Sequence, residues 1–321
     1  MEARQSPESF RNPFLDTDGR LAIYSFQGEY AMKKVITRRD FIKGSTFAVI
    51  GAAIGLPPQQ AKKTRVVLIR QADVIDENSK INEEVVKKML DEALMTLLGK
   101  DDPVRAFQEL VKPDEVVGIK SNVWSYLPTP PEVERSIKSR LVDAGVKKEN
   151  ISIDDHGVRT NPIFLKATSL INVRPLRTHY LAGMSGCIKN YIMFAESQEA
   201  LHPNNCSELG SVFKLPQVYG KNRLNILCVL TPQYHGRGPH HFSRRYIWNY
   251  NGLIVGQDPV AVDTIGLRLI IAKRAEQLGK EQAIPPVPRH IEVADIKYRL
   301  GTSDINKIDL VKLGWKENIL I

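Results

Sequence analysis

Glu115-Val116-Val117-Gly118-Ile119-Lys120-Ser121-Asn122 and Ile151-Ser152-Ile153-Asp154-Asp155-His156-Gly157 decide the fold class. Each is a short apolar run that ends abruptly in polar side chains, as a buried strand does where it enters a loop. Between them, Pro130-Pro131 opens a helix that runs to about Ala144, and Gly145 stops it. Upstream, Arg65 to Arg70 reads as another compact strand. From Ile81 to Leu98, Val85, Val86, Met89, Leu90, Ala93, Leu94, Leu97 and Leu98 recur at helical spacing, and Gly99 closes that helix. Strand, helix, strand, helix, strand at this spacing predicts parallel crossover units, hence an α/β fold with a mostly parallel open sheet and flanking helices. Such sheets take ligands beyond the carboxyl ends of their strands. Lys120 to Asn122 and Asp154 to His156 fall at two such ends.

The second half is less regular. Ser169 to Val173 reads as a strand leading to Arg177-Thr178-His179, and Gly186 to Ala195 as a helix carrying Lys189-Asn190. Leu224 to Leu230 and Leu253 to Val255 are strands. A helix from Val260 to about Ala275 follows Gly256-Gln257-Asp258-Pro259. Ile291 to Leu300 is read as helical and Ile308 to Leu313 as the last strand. No repeat, heptad array or low-complexity segment interrupts residues 65–321, which are expected to form a single α/β domain.

Ahead of that domain, Thr37-Arg38-Arg39-Asp40-Phe41-Ile42-Lys43 precedes a mildly apolar, Gly/Ala-rich run. This looks like a twin-arginine export signal over residues 32–60, an address and not part of the fold. The expected partner is the twin-arginine translocation machinery, and the expected location is the periplasm or cell envelope. Phe47 to Leu56 is shorter than the roughly 20 residues a membrane span needs, and Pro57-Pro58 follows it. Both removal of the signal and its retention as an anchor stay open. Met32-Lys33-Lys34 resembles a natural start, so residues 1–31, polar and without apolar period, are expected to be a disordered extension or a mis-called start.

The chain has 321 residues, 42% of them hydrophobic, and a net charge of +9 from 45 basic and 36 acidic side chains. Residues 1–64 hold +4 of that charge and the rest is spread thinly, which is not a nucleic-acid footprint but suits a small anionic ligand. Cys187, Cys206 and Cys228 form no Cys-x-x-Cys pair, so no iron–sulfur or structural zinc pattern is present, and buried free thiols are expected.

Four polar groups are candidates for chemistry. Lys120 and Asn122 place a cation and an amide at a strand end, suited to a phosphate or carboxylate; the alternative is a lysine snorkelling outward and an asparagine capping a turn. Lys189-Asn190 is flanked by His179 and His202. A half-buried lysine there has the character of a base or nucleophile, against the alternative of an exposed helix face. His235, His240 and His241 sit in a Gly/Pro/Arg-containing loop that is a candidate for metal or anion binding, with His156 as a further metal ligand; the spacing matches no standard zinc motif. Asp258 fits a helix N-cap before Pro259, and Asp263, five residues on, is a candidate to face the same site. Phosphate-loop, dinucleotide and nucleophile-elbow motifs are all missing from the sequence.

Taken in order, Val116 to Asn122, Thr129-Pro130-Pro131-Glu132, Leu181 to Asn190, Gly256 to Asp263 and Leu300 to Asp304 resemble the domain of unknown function 362 family, in its exported twin-arginine branch. The resemblance covers about residues 65–315 and implies an exported α/β protein with little said about chemistry. Some relatives carry ferredoxin-like cysteine clusters that this chain lacks, and Thr231-Pro232 stands where similar sequences often have an acidic residue. The leading functional expectation is a cell-envelope enzyme acting on a small anionic substrate. Lys120 would hold the anion, Asn122, Asn190 and His202 would help bind it, Lys189 or His179 would move a proton, and Asp263 would orient the base. The alternatives are a non-catalytic binding protein for an anion, metal or envelope component, and a redox accessory subunit exported with a cofactor.

Overall fold

The computed structural model describes residues 63–236, 238, 242–279 and 284–321. The expected signal segment and the extension before it lie outside the described residues, as do His240 and His241.

Eight strands form one sheet: β1 (Thr64–Arg70), β2 (Val117–Lys120), β3 (Ile151–Asp154), β4 (Ser169–His179), β5 (Gly183–Ser185), β6 (Asn222–Gln233), β7 (Gly252–Gly256) and β8 (Ile308–Gly314). Their order is β3-β2-β4-β6-β7-β1-β8, with β5 pairing β4 off this path. All neighbours on the path run parallel except β7, which is antiparallel to both β6 and β1. The mostly parallel open sheet expected from the sequence is present, but the strand neighbours differ. β1 and β2 are not adjacent; β7, β6 and β4 lie between them. The less regular second half of the chain therefore supplies the centre of the sheet.

Both faces are covered. In β1, Val67 and Ile69 point into one apolar layer and Val66 and Leu68 into the other, all fully buried. The first layer is closed by α1 (Glu83–Leu98), α2 (Pro103–Leu110) and α3 (Pro131–Asp143) through Met89, Leu94, Phe107 and Ile137. The second is closed by α4 (Pro162–Lys166), α5 (Cys187–Asn190), α6 (Pro259–Leu278) and α7 (Arg289–Ile296) through Phe164, Ile188, Ile265 and Ala294.

Local chemistry sets the helix ends. Asn82 accepts from the Glu84 and Val85 amides, and Gly99 closes α1 with φ 63°. Asp258 caps α6, its Oδ1 accepting from Val260 and Ala261 at 2.8 and 2.9 Å, while Oδ2 accepts from Thr302 at 2.9 Å. The Gly256–Asp263 and Leu300–Asp304 segments thus meet at one carboxylate. The helix expected over 186–195 is only α5 followed by a 3-10 turn at Tyr191–Phe194. All three cysteines are buried and free. No helix of the described residues is long and apolar enough to cross a membrane.

Candidate functional site

A row of amides crosses the centre of the sheet. Register places Lys120 beside Asn172, Asn172 beside Asn225 and Asn225 beside Gly256. Asn172 Nδ2 donates to Asn225 Oδ1 at 3.1 Å and to the Cys187 carbonyl at 2.9 Å, and Asn225 Nδ2 donates to the Gln257 carbonyl at 2.9 Å. Asn190 reaches in from α5, its Nδ2 donating to Asn172 Oδ1 at 2.8 Å and the Lys120 carbonyl at 3.1 Å. Buried amides are tolerable only when satisfied. Here they bolt α5 to three strands, which fixes where Lys189 stands.

Lys120 is fully buried, and its Nζ donates to Asp155 Oδ1 at 2.5 Å, the Ser121 carbonyl at 2.7 Å and Asn190 Oδ1 at 3.3 Å. Burial opposes charge on Asp155, but the adjacent ammonium and the Val123 amide at 2.9 Å outweigh it and hold the carboxyl below its usual range. The pair is therefore ionic and internally spent. Lys120 does not line the cleft, and its ammonium already meets three acceptors, so it is not the open cation that the sequence suggested.

Above this pair a cleft of about 180 Å³ opens at the carboxyl ends of β2, β3 and β4, lined among others by Asn122, Asp155, Arg174, Arg177, His179 and Lys189. Arg174 is buried; its Nη1 reaches only the Gly186 carbonyl at 3.4 Å, and its Nε has no hydrogen-bond partner among the described residues. Arg177 donates through Nη1 to Asn122 Oδ1 at 3.0 Å and the Leu127 carbonyl at 3.1 Å, and its buried Nε is likewise unpartnered. Its guanidinium lies 4.5 Å from the centre of the Trp124 ring. Lys189 Nζ meets His202 Nε2 at 3.3 Å. Burial draws Lys189 down to about 8, with Arg174 and Arg177 adding to the fall against an opposing pull from Cys206. Among the described residues no carboxylate is ion-paired with Arg174, Arg177 or Lys189.

Arg174 and Arg177 both line the cleft towards the carboxyl end of β4. Past Pro175 the pairing with β6 shifts, from Pro175 beside Cys228 to Arg177 beside Gln233, so the extra residues of the irregularity lie on β6. Pro175 made the sequence read as though this strand ended at Val173, so both arginines were missed as site residues. The usable signal was three basic side chains, Arg174, Arg177 and His179, crowded around a proline after a buried run.

The remaining candidates divide. Asn122, Lys189 and Asn190 line the cleft, and so does His179. The His179 ring accepts at Nδ1 from the Leu181 and Ala182 amides at 3.1 and 3.3 Å. Burial first, then Lys189 and the two arginines, push its pKa far down, so it is neutral, with Nε2–H as a donor and no free site for a proton. The ring is thus a neutral donor and not a base. Asp263 is fully buried behind the cleft and does not line it. Its oxygens accept from the Cys187 amide at 2.6 Å and the Ile188 amide at 2.9 Å. α5 begins at Gly186, which has no side chain to cap with, and a Cβ there would sit 2.3 Å from Asp263 Oδ1. Asp263 thus caps α5 from another helix and acts on the cleft through Lys189. His202 touches Lys189 and does not line the cleft. His156 stands at its mouth, 70% exposed, 3.8 Å from Asp155. His235 lines a different pocket, with Nδ1 2.7 Å from Arg274. Among the described residues no three His, Cys, Asp or Glu side chains converge as a metal ion would need.

No curated protein and no solved structure matches the chain. Residues 117–268, a stretch that holds every residue named above as lining the cleft, match the family model described as Domain of unknown function (DUF362), and over that stretch the chain is similar to that family.

Proposed function

We propose that the cleft binds a small ligand through an oxyanion group, phosphoryl or carboxylate, and that Lys189 exchanges a proton with it. The observation that carries this reading is the unbalanced charge: Arg174, Arg177 and Lys189 are buried around one cleft with no carboxylate partner among the described residues. Uncompensated buried cations are costly, and guanidinium forks match the geometry of oxyanions. His179 adds a neutral N–H donor. Lys189, with its pKa near 8, holds and releases a proton close to neutral pH, and His202 at 3.3 Å offers a route for it towards solvent. The test is calorimetric titration of the purified chain with inorganic phosphate, pyrophosphate and small dicarboxylates. At least one binds, stabilising the fold by about 2.7 kcal/mol at a hundredfold excess over its Kd, and Arg174→Met abolishes binding. Absence of binding by every oxyanion refutes the reading.

The same reading includes export. The Arg38-Arg39 segment supports passage of the folded domain through the twin-arginine machinery to the periplasm or envelope. Replacing both arginines by lysine should leave the protein in the cytoplasmic fraction; unchanged fractionation rules the route out.

A further inference from the structure

The cleft, at about 180 Å³, is lined on one side by Trp124 from the loop that follows β2, so a ligand that extends beyond its oxyanion head on that side meets this loop. Trp124, which lines the cleft, meets the rings of Tyr126 and Phe242 there, with centroids 5.1 and 5.7 Å away, and Tyr126 and Phe242 are themselves 5.1 Å apart. Two loops far apart in sequence therefore converge to build one aromatic wall at the mouth. Elsewhere a ring cluster such as Tyr191, Phe194 and Phe213 is explained by burial in the core. This one is not: Tyr126 is 59% exposed and the adjoining Val123 is 53% exposed. Contiguous apolar surface left open beside a polar cleft marks a binding surface.

Resting on the anion-site reading above, we propose that the ligand is an oxyanion carried on a planar aromatic ring, an aryl or nucleoside phosphate in class, with its ring stacked against the Trp124–Tyr126–Phe242 wall. The anion site and the wall are joined by one residue. Arg177 lies over the Trp124 ring at 4.5 Å while it lines the cleft, so the group that receives the anion also holds the wall in place. The rings are inclined, 32° between Tyr126 and Phe242 and 52° between Trp124 and Tyr126. They offer faces and edges to a flat partner, where offset and edge contacts are favourable beyond simple area burial. An alkyl chain gains only the area.

The experiment is a calorimetric series on the full chain with inorganic phosphate, methyl phosphate, phenyl phosphate and n-hexyl phosphate. Phenyl phosphate is expected to bind roughly tenfold tighter than methyl phosphate, and tighter than hexyl phosphate. In the Tyr126→Ala, Phe242→Ala double variant the phenyl-over-methyl preference should collapse towards one. If phosphate binds but phenyl phosphate gains nothing over methyl phosphate, or hexyl phosphate equals it, the ring inference fails and the anion site stands. If no member binds, both fail.

Discussion

Arg70 and Arg174 lie on parallel-running strands of one sheet, both buried, and their surroundings are opposite. Arg70, at the end of β1, is closed on every side by protein. It stacks between Tyr250 and Trp315 at 4.2 and 4.3 Å and donates to the Tyr250 carbonyl at 2.7 Å and the Glu317 carbonyl at 2.5 Å. Arg174, on β4, has one long contact to the Gly186 carbonyl and a buried Nε without a partner among the described residues. The first arginine fastens the C-terminal segment to the sheet. The second is held in a cleft with two further cations. Burial alone does not tell a structural charge from a functional one; the accounting of partners does.

The largest effect should come from breaking the satisfied side. Arg70→Ala strands two carbonyls and removes two cation–π contacts, at a cost of about 3 kcal/mol or more, visible as a lower urea midpoint. Arg174→Met removes an uncompensated buried charge and should change the ligand-free midpoint by less than about 1 kcal/mol, or raise it, while anion binding is lost. Equal destabilisation by the two variants would erase the distinction and with it the charge argument for the site.

Buried carboxylates repeat the contrast. Asp155 is ionic against Lys120, whereas burial raises Asp263 to about 7 even though the Ile188 and Cys187 amides favour its charged form. Because the folded value exceeds the unfolded one, near 3.8, the folded state holds the extra proton between about pH 4 and 7. This group's contribution therefore falls as pH rises through that window. Asp263→Asn should flatten that limb of a stability–pH profile. At pH 7.5 it should also cost about 1–2 kcal/mol, since one α5 amide loses its acceptor. A profile unchanged in shape would mean Asp263 is not the titrating cap.

What the sequence disclosed and what it hid follow the same physics. Short apolar runs ending in Lys120-Ser121-Asn122 and Asp154-Asp155-His156 made the strands and their polar ends legible, because a strand buried on both faces leaves no polar residue until it stops. Strand order was not legible: nothing in the β1 or β2 runs records that β7, β6 and β4 settle between them, since that depends on long-range pairing. β4 was cut short at Val173, as proline disfavours a central strand, and Arg174 and Arg177, which line the cleft, lie on the part of the strand left out. Lys189 and Asn190 were found by composition. Asp263 was found too, but five residues past Asp258 on a helix says nothing about whether it faces the cleft or, as it does, the amides of α5.

The smallest effect is the one that ties charge to function most directly. Lys189 is drawn down to about 8 from an unfolded value near 10.5, so above pH 8 the unfolded chain holds more protons than the folded one. Ligand-free stability should therefore rise with pH across that window, and Lys189→Met should remove this share of the rise. An oxyanion in the cleft favours the ammonium, so binding and pH must oppose each other. Its Kd should weaken as pH passes 8, approaching roughly tenfold per unit if that single proton is required. Titrations at pH 7, 8, 9 and 10 check both limbs on one protein. A Kd flat across that range, with Arg174→Met still abolishing binding, would leave the arginines as the whole of the anion site and take proton exchange away from Lys189.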